Sequence, residues 1–410
     1  MTETLPTGTQ TPGTQTPPAF PVPRECPFAP PERYAELRAA EPVSRVTLPT
    51  GKQPWIVTRY ADVRALLADP RVSADIRHPN FPAMGIGEQE AGAKSRPFIR
   101  TDPPEHTRFR RMLQAEFTVK RIRDMRPAIQ RTVDDLIDAM LDSGPPVDLV
   151  TAFANAVSTT TVLGLFGAPT DDIEFFRDVT RISGGRTSSA EEVGAALASL
   201  FRMLDGLITA REQAPGDDLL SKLVVNHLRA GVVTRHELLS AIGITIVAGR
   251  ETTTSMIALG TLLLLRHPEK LARLRAEPEL MPAAVEELLR ILSVADSIPL
   301  RVAAADIDLD GTRIREGDGI IALLAAADHD PEVFPDPQRL DLDRVNRHHV
   351  AFGYGVHQCI GQNLARLELE IAIGTLIRRI PDLRLAGAFD DLEYKNDAAT
   401  FGIEAMQVTW

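Results

Sequence analysis

The chain has 410 residues, 44% of them hydrophobic and 25% charged, an ordinary composition for a globular protein with a large core. Its 45 Lys and Arg against 56 Asp and Glu leave a formal net charge of −11, which argues against binding to nucleic acid or to an anionic membrane. Two cysteines, Cys26 and Cys359, are too few for a disulfide framework or for a zinc site built from several cysteines. We find neither an apolar stretch long enough to span a bilayer nor a signal peptide, and we therefore expect a cytoplasmic monomer.

The order of the elements predicts a mainly α fold with small β-sheets. Residues 1–24 are rich in Thr and Pro, and we predict a disordered arm there because such a segment buries little apolar surface. Residues 25–410 contain no internal linker and are predicted to form one domain. Within this domain the local patterns predict a helix from Pro30-Pro31-Glu32 to about Ala40, a strand at 55–58, a helix at 60–68, an irregular loop at 70–100, an almost wholly helical stretch from 105 to 292, a hairpin at 299–322, a Pro-rich meander at 331–343, a glycine-rich loop at 352–361 and a helix at 362–379.

The glycine-rich loop, FGYGVHQCIG at 352–361, is the most informative segment of the chain. Its three glycines suit a tight loop that approaches a flat ligand closely. The helix that follows directs its N-terminal amides toward Cys359, which favours thiolate over thiol. The alternative for a single cysteine is a buried side chain that acts as a small hydrophobe.

Extended to FGYGVHQCIGQNLA, this loop resembles the cysteine-ligand loop of the cytochromes P450, the haem-thiolate monooxygenases. The resemblance extends over residues 26–410, because further motifs follow in the family's order. It implies a single-domain cytochrome P450 fold, with haem b between a long central helix and the cysteine loop, and Cys359 as the axial ligand of the iron. By the same resemblance, the haem contacts are Ala248, Gly249, Phe352, His357 and Gly361.

The long central helix is predicted over about 238–265, with a capping box at 234–237. A helix this apolar runs through the core, so the polar residues in its middle need an explanation. In the family an acid and an alcohol at this place deliver protons during oxygen activation, and Glu251 and Thr252 match them. For Thr252 alone, packing or a bond to the carbonyl four residues earlier is the alternative.

Two further expectations concern the same helix. Gly249 is expected to leave room beside the iron for dioxygen. Arg250 departs from the family pattern, in which this position is very often histidine or another compact residue. We leave three roles open for Arg250: it pairs with Glu251 and alters the proton supply, it reaches the substrate, or it points to the helix exterior.

Three residues form the expected scaffold of the cysteine loop. Glu287 and Arg290 match the family's Glu-x-x-Arg, and their spacing places both side chains on one helix face. Alone, such a pair is usually a solvated surface ion pair. By resemblance it locks with an arginine of the later meander, and Arg339 is expected to be that partner.

A second charged motif is expected to bind the haem propionates. The segment 102–111 starts a helix with two prolines, and His106 and Arg110 fall on one face of that helix. Partly buried propionates need cationic or hydrogen-bonding partners. The resemblance assigns His106, Arg110, Arg301 and His357 to them, whereas the alternative for the helix alone is a basic surface.

The expected activity is insertion of one oxygen atom from O2 into a bulky apolar substrate, by hydroxylation, repeated oxidation of a methyl group or epoxidation. The chain contains no flavin or nicotinamide fingerprint, so the expected electron donors are a ferredoxin and its reductase. The alternatives are a haem-thiolate peroxygenase, against which the Glu251–Thr252 pair argues, and a non-catalytic haem-binding sensor. An acidic ferredoxin is expected to meet a basic patch of Arg108, Arg111, Arg344, Arg347 and Arg366.

The expected substrate is a macrolide or polyene natural product, because the chain most resembles actinobacterial members that tailor such compounds in antibiotic biosynthesis. This expectation rests on analogy with the family alone. Four segments are expected to line the substrate pocket, namely 76–98, 180–192, 294–298 and 398–401.

Overall fold

The structure, a computed structural model, describes residues 16–170, 173–345 and 348–410. The described residues confirm a mainly α architecture. Their α-helices are α1 (Glu32–Ala40), α2 (Tyr60–Ala68), α3 (Glu88–Ser95), α4 (Glu105–Gln114), α5 (Val119–Asp124), α6 (Arg126–Ser143), α7 (Ala156–Leu165), α8 (Ile173–Gly184), α9 (Ala190–Gln213), α10 (Leu219–Leu223), α11 (Arg235–Leu265), α12 (Pro268–Ala276), α13 (Met281–Leu292), α14 (Leu324–Asp328) and α15 (Gln362–Arg379).

The strands are short and form small sheets beside the helices. The largest sheet has the order β1-β2-β8-β5-β3; β2 and β8 run parallel, and the other neighbours run antiparallel. A second sheet has the order β4-β10-β9, and β6 pairs with β7. The strand bounds are β1 (Val43–Arg45), β2 (Trp55–Val57), β3 (Val72–Ser73), β4 (Val147–Asp148), β5 (Leu300–Ala303), β6 (Ile307–Leu309), β7 (Thr312–Ile314), β8 (Gly319–Ala322), β9 (Arg384–Leu385) and β10 (Gln407–Thr409).

The hairpin predicted from Asp310-Gly311 is the turn between β6 and β7. Both residues have positive φ, 46° for Asp310 and 74° for Gly311. Gly and Asp tolerate this region at low cost, and two such residues in a row match the twist of the flanking strands. The local sequence was therefore sufficient to predict this turn.

Helix α11 is the centre of the molecule. It begins where its capping box predicts: the Thr234 hydroxyl accepts from the Glu237 amide, and the Glu237 carboxylate accepts from the Thr234 amide at 2.7 Å. Every residue from 253 to 264 is buried, because α11 packs against α7, α13 and α15 in this half. The preceding half has one face on a cavity, which places its polar residues there.

The predicted disordered arm is packed in its described part. Residues 1–15 lie outside the described residues. Phe20 is buried, and its amide donates to the Thr47 carbonyl at 2.9 Å. Arg24 donates to the carbonyls of Leu292 and Ser293. The folded domain therefore begins before residue 25, and the predicted boundary is wrong because one aromatic and one arginine find partners far along the chain.

The loop predicted at 70–100 contains more regular structure than expected. It includes β3 and the helix α3, of which only Ala91 is buried. A helix that buries a single residue leaves no apolar periodicity in the sequence, so the pattern did not reveal it.

Among the described residues, one helix, α9, is long and apolar enough to cross a membrane by length and composition. This finding differs from the expectation that no such stretch exists. The helix buries one face, including Leu200 and Leu204, and packs against α8 and α11. Core helices of globular proteins share these properties, so the helix is weak evidence for a membrane span.

Candidate active site

The cysteine loop owes its shape to two glycines with positive φ. Gly353 has φ 70° and Gly355 has φ 74°, a region that other residues rarely adopt. At Gly355 a Cβ atom would also overlap the carbonyl oxygen of Leu67 on α2. The Cys359 amide donates to the Phe352 carbonyl at 2.9 Å and closes the loop immediately before α15.

The Cys359 thiol is subject to opposing influences. Burial raises its pKa, whereas the amides of Gly361 and Gln362 and the charges of Arg110 and Arg366 lower it. Burial is the largest of these influences, and the net effect is a raised pKa. The expectation that the amides of the helix terminus favour thiolate is confirmed in sign, although their effect is smaller than that of burial.

The four predicted propionate partners lie close to one another: His106, Arg110 and Arg301 all act on His357. The rings of His106 and His357 are 4.0 Å apart between centroids, and the Nδ1 atom of each is buried without a hydrogen-bond partner. Arg110 is close enough for its charge to act on Cys359, and Arg301 acts on His357. In the described part of the chain, neither arginine forms an ion pair.

The described part of the protein offers these four groups no anionic partner. Burial lowers the pKa of His106 to about 4, that of His357 to about 2 and that of Arg301 to about 9. Burial is the largest cause of each of these lowered pKa values, and neighbouring arginines contribute to them. Unpartnered buried donors and cations require an anion. Two carboxylates such as the haem propionates meet this requirement, so the residues present fit haem.

In the middle of α11, the Thr252 hydroxyl donates to the Ala248 carbonyl at 2.9 Å. Both residues line the cavity. A Cβ atom at Gly249 would lie 3.1 Å from Cγ2 of Val162 on α7. The glycine therefore allows close packing of α11 against α7, and its role in making room beside the iron stays a prediction.

The role of Arg250, left open by the sequence, is settled by its contacts. The side chain is buried and donates to Asn155 Oδ1, to the Thr180 hydroxyl at 3.0 Å and to Glu251 Oε2 at 2.6 Å. Lys395, on the C-terminal loop, donates to the other Glu251 oxygen at 2.6 Å. Both carboxylate oxygens of Glu251 are thus bound by cations from this chain.

The scaffold motif is buried, and its third member differs from the prediction. Arg290 binds both oxygens of Glu287 at 2.8 Å, and the partner from the meander is Arg344, 3.0 Å from Glu287. Arg339 instead forms an exposed ion pair with Asp341. The prediction of Arg339 is therefore wrong, because the meander turns Arg344 inward and Arg339 outward.

A cavity of about 780 Å³ lies beside α11. All four predicted segments contribute to its lining, through Met84, Arg186, Ile298 and Ala399 among others. The sequence analysis missed three contributors: the apolar face of α9, a π-helical turn at Val150–Asn155, and Lys395. The spacing of Val193, Leu197 and Phe201 on α9 was a signal that could have found the first of them.

The predicted basic patch is not confirmed as a set. Arg344 is buried in its ion pair with Glu287. Arg366 binds Glu286 at 2.6 Å, and Arg108 binds a carboxylate of α11. These three arginines are neutralised within the chain, so they contribute little to an open basic surface.

Two members of the patch remain. Arg111 is exposed on α4 and forms no ion pair in the described part of the chain. Arg347 lies outside the described residues. Val356, in the cysteine loop, is 56% exposed and is an exposed apolar residue that the sequence analysis did not identify.

Comparisons with known proteins agree with this site. The family model of cytochrome P450 matches residues 185–380. Pentalenic acid synthase of Streptomyces avermitilis is 47% identical over 97% of this chain and 99% of its own length, and mycinamicin VIII C21 methyl hydroxylase of Micromonospora griseorubida is 43% identical over 95% and 99%. The crystal structure of CYP105N1 from Streptomyces coelicolor A3(2) has 65% identity and a TM-score of 0.90 over 96% of this chain and 99% of that one. The chain therefore belongs to the cytochrome P450 family, the haem b monooxygenases.

Proposed function

We propose that this chain is a haem-thiolate monooxygenase that inserts one oxygen atom from O2 into a C–H bond or alkene of a bulky natural product. The observation that carries the proposal is a cluster of four groups near Cys359, two buried and two half-buried, that lack an anionic partner among the described residues, together with a cavity bordered by Thr252. When bound, haem supplies the iron at which dioxygen is activated.

The chain's own residues hold the cofactor in this proposal. Cys359 would bind the iron as a thiolate, and the unpartnered Nδ1 atoms of His106 and His357 would donate to the propionates together with Arg110 and Arg301. Phe352 and Gly361 flank Cys359 within the loop and would contact the haem. Ala248 and Gly249 of α11 would also contact it.

Glu251 and Thr252 handle protons in this proposal. The Thr252 hydroxyl donates to the Ala248 carbonyl, which leaves its oxygen lone pairs available to accept a proton. Rotation of the hydroxyl away from that carbonyl would then direct its own proton to the cavity. Glu251 is positioned by Arg250 and Lys395. Arg250 is held by two further partners and Lys395 by none that is a side chain, so Lys395 is the partner that releases Glu251 more readily.

We propose that electrons come from a ferredoxin served by a ferredoxin reductase, and that the enzyme acts as a cytoplasmic monomer. Exposed Arg111 and Val356 support a docking face beside the cysteine loop, because one offers charge to an acidic carrier and the other apolar contact. The peroxygenase and sensor alternatives require no such partner.

The proposed substrate is a macrolide or polyene. Its support is the mycinamicin hydroxylase, which covers nearly the whole chain. A second candidate is a siderophore precursor: CYP105N1, the more similar protein, is described as an oxidase of the coelibactin siderophore pathway.

A reconstituted system tests the proposal. Purified holoprotein, a ferredoxin, its reductase and reduced nicotinamide are mixed with candidate compounds that shift the Soret band. We expect consumption of the nicotinamide to rise with the compound, with an oxygenated product. Product formation from hydrogen peroxide alone would favour the peroxygenase, and binding without any turnover would favour the sensor.

A further inference from the structure

The cavity wall contains buried hydrogen-bond donors for which the described protein offers no acceptor. They are the Ser240 hydroxyl, Asn155 Nδ2 and Arg186 Nε. Ser240 is 4% exposed and Asn155 is 2% exposed. Buried polar groups in folded proteins nearly always have a partner, so each unpaired donor requires an explanation.

The orientation of the Asn155 amide follows from its other contacts. Its Oδ1 atom accepts from Arg250 and from the Thr159 hydroxyl. The opposite orientation would set the NH2 group against a guanidinium, which also only donates. Nδ2 is therefore the free atom, and the π-helical turn at Val150–Asn155 places its residue in the cavity lining.

Ser240 lies ten residues before Arg250 on α11, a rise of about 15 Å along the helix. Its neighbours in the cavity lining, Ile244 and Phe201, are apolar. A serine at this apolar position leaves a buried hydroxyl without a hydrogen-bond partner, which costs stability. An alanine would avoid this cost. The hydroxyl is explained if a ligand that extends along α11 pairs with it.

Arg186 is held in place by two segments, one at Ile86 and one at Asn396-Asp397. Its amide donates to the Asp397 carbonyl at 2.8 Å, its carbonyl accepts from the Ile86 amide at 3.1 Å, and its Nη1 atom donates to the Asn396 carbonyl at 2.9 Å. Among the described residues, no carboxylate forms an ion pair with it, and its Nε atom is buried without an acceptor.

We propose that Ser240, Asn155 and Arg186 bind oxygen acceptors of the substrate, such as ester, amide or carboxylate groups. The substrate is then an oxygenated compound and not a hydrocarbon of the same shape, although the face at Val247 and Ala248 is apolar. This inference rests on the proposed function, because it names the substrate class of the same site. It adds a polar requirement to the bulky apolar substrate expected from the sequence.

The test compares two ligands of the same ring size, the macrocyclic lactone pentadecanolide and cyclohexadecane, which contains no oxygen. Their dissociation constants are measured on the holoprotein from the Soret shift. We expect the lactone to bind about tenfold more tightly, and we expect this ratio to fall by about three- to tenfold in the double variant Ser240→Ala/Asn155→Asp. The Asp carboxylate keeps the acceptor for Arg250 and replaces the free donor with an acceptor.

Thr261→Val is the matched control. Thr261 is on the same helix, and its hydroxyl is likewise buried and unpartnered, but it does not line the cavity. We expect Thr261→Val to leave the ratio unchanged. Both Ser240→Ala and Thr261→Val should retain or raise the melting temperature, because each removes an unpaired buried hydroxyl.

A lactone advantage below threefold in the parent protein, including no binding of either ligand, overturns the inference. So does a ratio that is unchanged in the double variant. The reduced carbon monoxide spectrum is recorded first: without its thiolate band the proposed function fails, whereas with the band present a negative result rejects only the substrate class.

Discussion

At the residue scale, the surroundings of Cys359 determine the pKa of its thiol. The thiol is surrounded by two amide donors and two arginines, yet burial still raises its pKa. A bound iron ion would supply the additional stabilisation that the thiolate form requires. The proposed role of Cys359 as ligand is therefore separable from its acidity as a free thiol, and the first prediction tests that role.

Cys359→Ser should abolish the red-shifted band of the reduced carbon monoxide complex, because that band requires a thiolate on the iron. Absorption spectroscopy of the purified variant measures it. Cys26→Ser is the matched control: Cys26 is the other free cysteine and is exposed, so its variant should keep the band. A band that survives Cys359→Ser would show that the ligand is assigned wrongly.

Thr252→Ala should increase, by roughly several-fold, the share of reducing equivalents that end as hydrogen peroxide. The reason is that the variant removes a group that delivers protons in the proposed reaction. The hydroxyl lines the cavity and is the alcohol beside Glu251. Thr245→Ala removes the same type of bond, from its hydroxyl to the Ala241 carbonyl, outside the cavity, and should change nothing. Equal peroxide yields from the two variants would contradict the role of Thr252.

At the scale of elements, the meander after α14 is tied to α13 by one buried carboxylate. Glu287 is 3% exposed and is shared by Arg290 and Arg344. Arg344 also donates to the carbonyl of Pro335, so it fixes the meander's path as well as neutralising charge. The ion-pair network of Glu287, Arg290 and Arg344, which is the expected scaffold of the cysteine loop, thus depends on Arg344 and not on Arg339.

Arg344→Ala should lower the free energy of unfolding by about 3–5 kcal/mol, because it leaves a buried carboxylate with one partner fewer. Arg339→Ala should lower it by less than about 0.5 kcal/mol, since its ion pair is exposed. Urea unfolding and the yield of haem-loaded protein measure the difference. Equal losses from the two variants would reject the assignment of Arg344.

His329, directly after α14, predicts a pH dependence of stability. Burial lowers its pKa in the folded protein to about 3, against about 6.5 in the unfolded chain. Above pH 6.5 it is neutral in both states; as the pH falls, only the unfolded chain gains a proton, so the free energy of unfolding decreases. The loss amounts to about 2 kcal/mol by pH 5.

Urea unfolding of His329→Gln at several pH values measures this contribution. The variant should show a shallower loss of stability between pH 6.5 and pH 5, whatever its stability at neutral pH. His267→Gln is the control, because His267 is 39% exposed. A slope that is the same in the parent and in His329→Gln would place the acid sensitivity elsewhere.

At the scale of the whole molecule, the net charge of −11 repels an acidic electron carrier, so such a carrier requires a locally basic docking surface. Three of the five arginines expected there are neutralised by carboxylates of this chain, which leaves Arg111 as the exposed described member. Exposed charges act mainly on the rate of encounter and on its salt dependence.

Arg111→Glu should slow reduction by ferredoxin at low salt by roughly two- to tenfold and flatten the dependence on ionic strength. Stopped-flow reduction at several salt concentrations measures both. Arg202→Glu reverses an exposed charge on α9, the helix that lines the cavity, and should leave the rate unchanged. Parental kinetics in Arg111→Glu would place the docking face elsewhere.

The sequence by itself determined what depends on local conformation and spacing. The capping box predicted the start of α11. Asp310-Gly311 predicted the β6–β7 turn, and the glycines at 353 and 355 predicted a tight cysteine loop; these residues have positive φ in the structure. These signals are short-range, because capping and turn formation involve residues within a few positions of one another. The resemblance placed His106, Arg110, Arg301 and His357 at one site, and the structure brings them together.

Only the tertiary structure decided which side chains meet across distant segments and how deeply they are buried. Arg250 gains two of its partners from Asn155 and Thr180, neither of which is near it in the sequence, and Lys395 reaches Glu251 from the C-terminal loop. Arg339 and Arg344 lie in an irregular meander, where the sequence has no helical or strand periodicity. Nothing in the local pattern therefore indicates that Arg344 faces inward. The pKa of the thiol likewise depends on burial, which the packed molecule creates and no local pattern records.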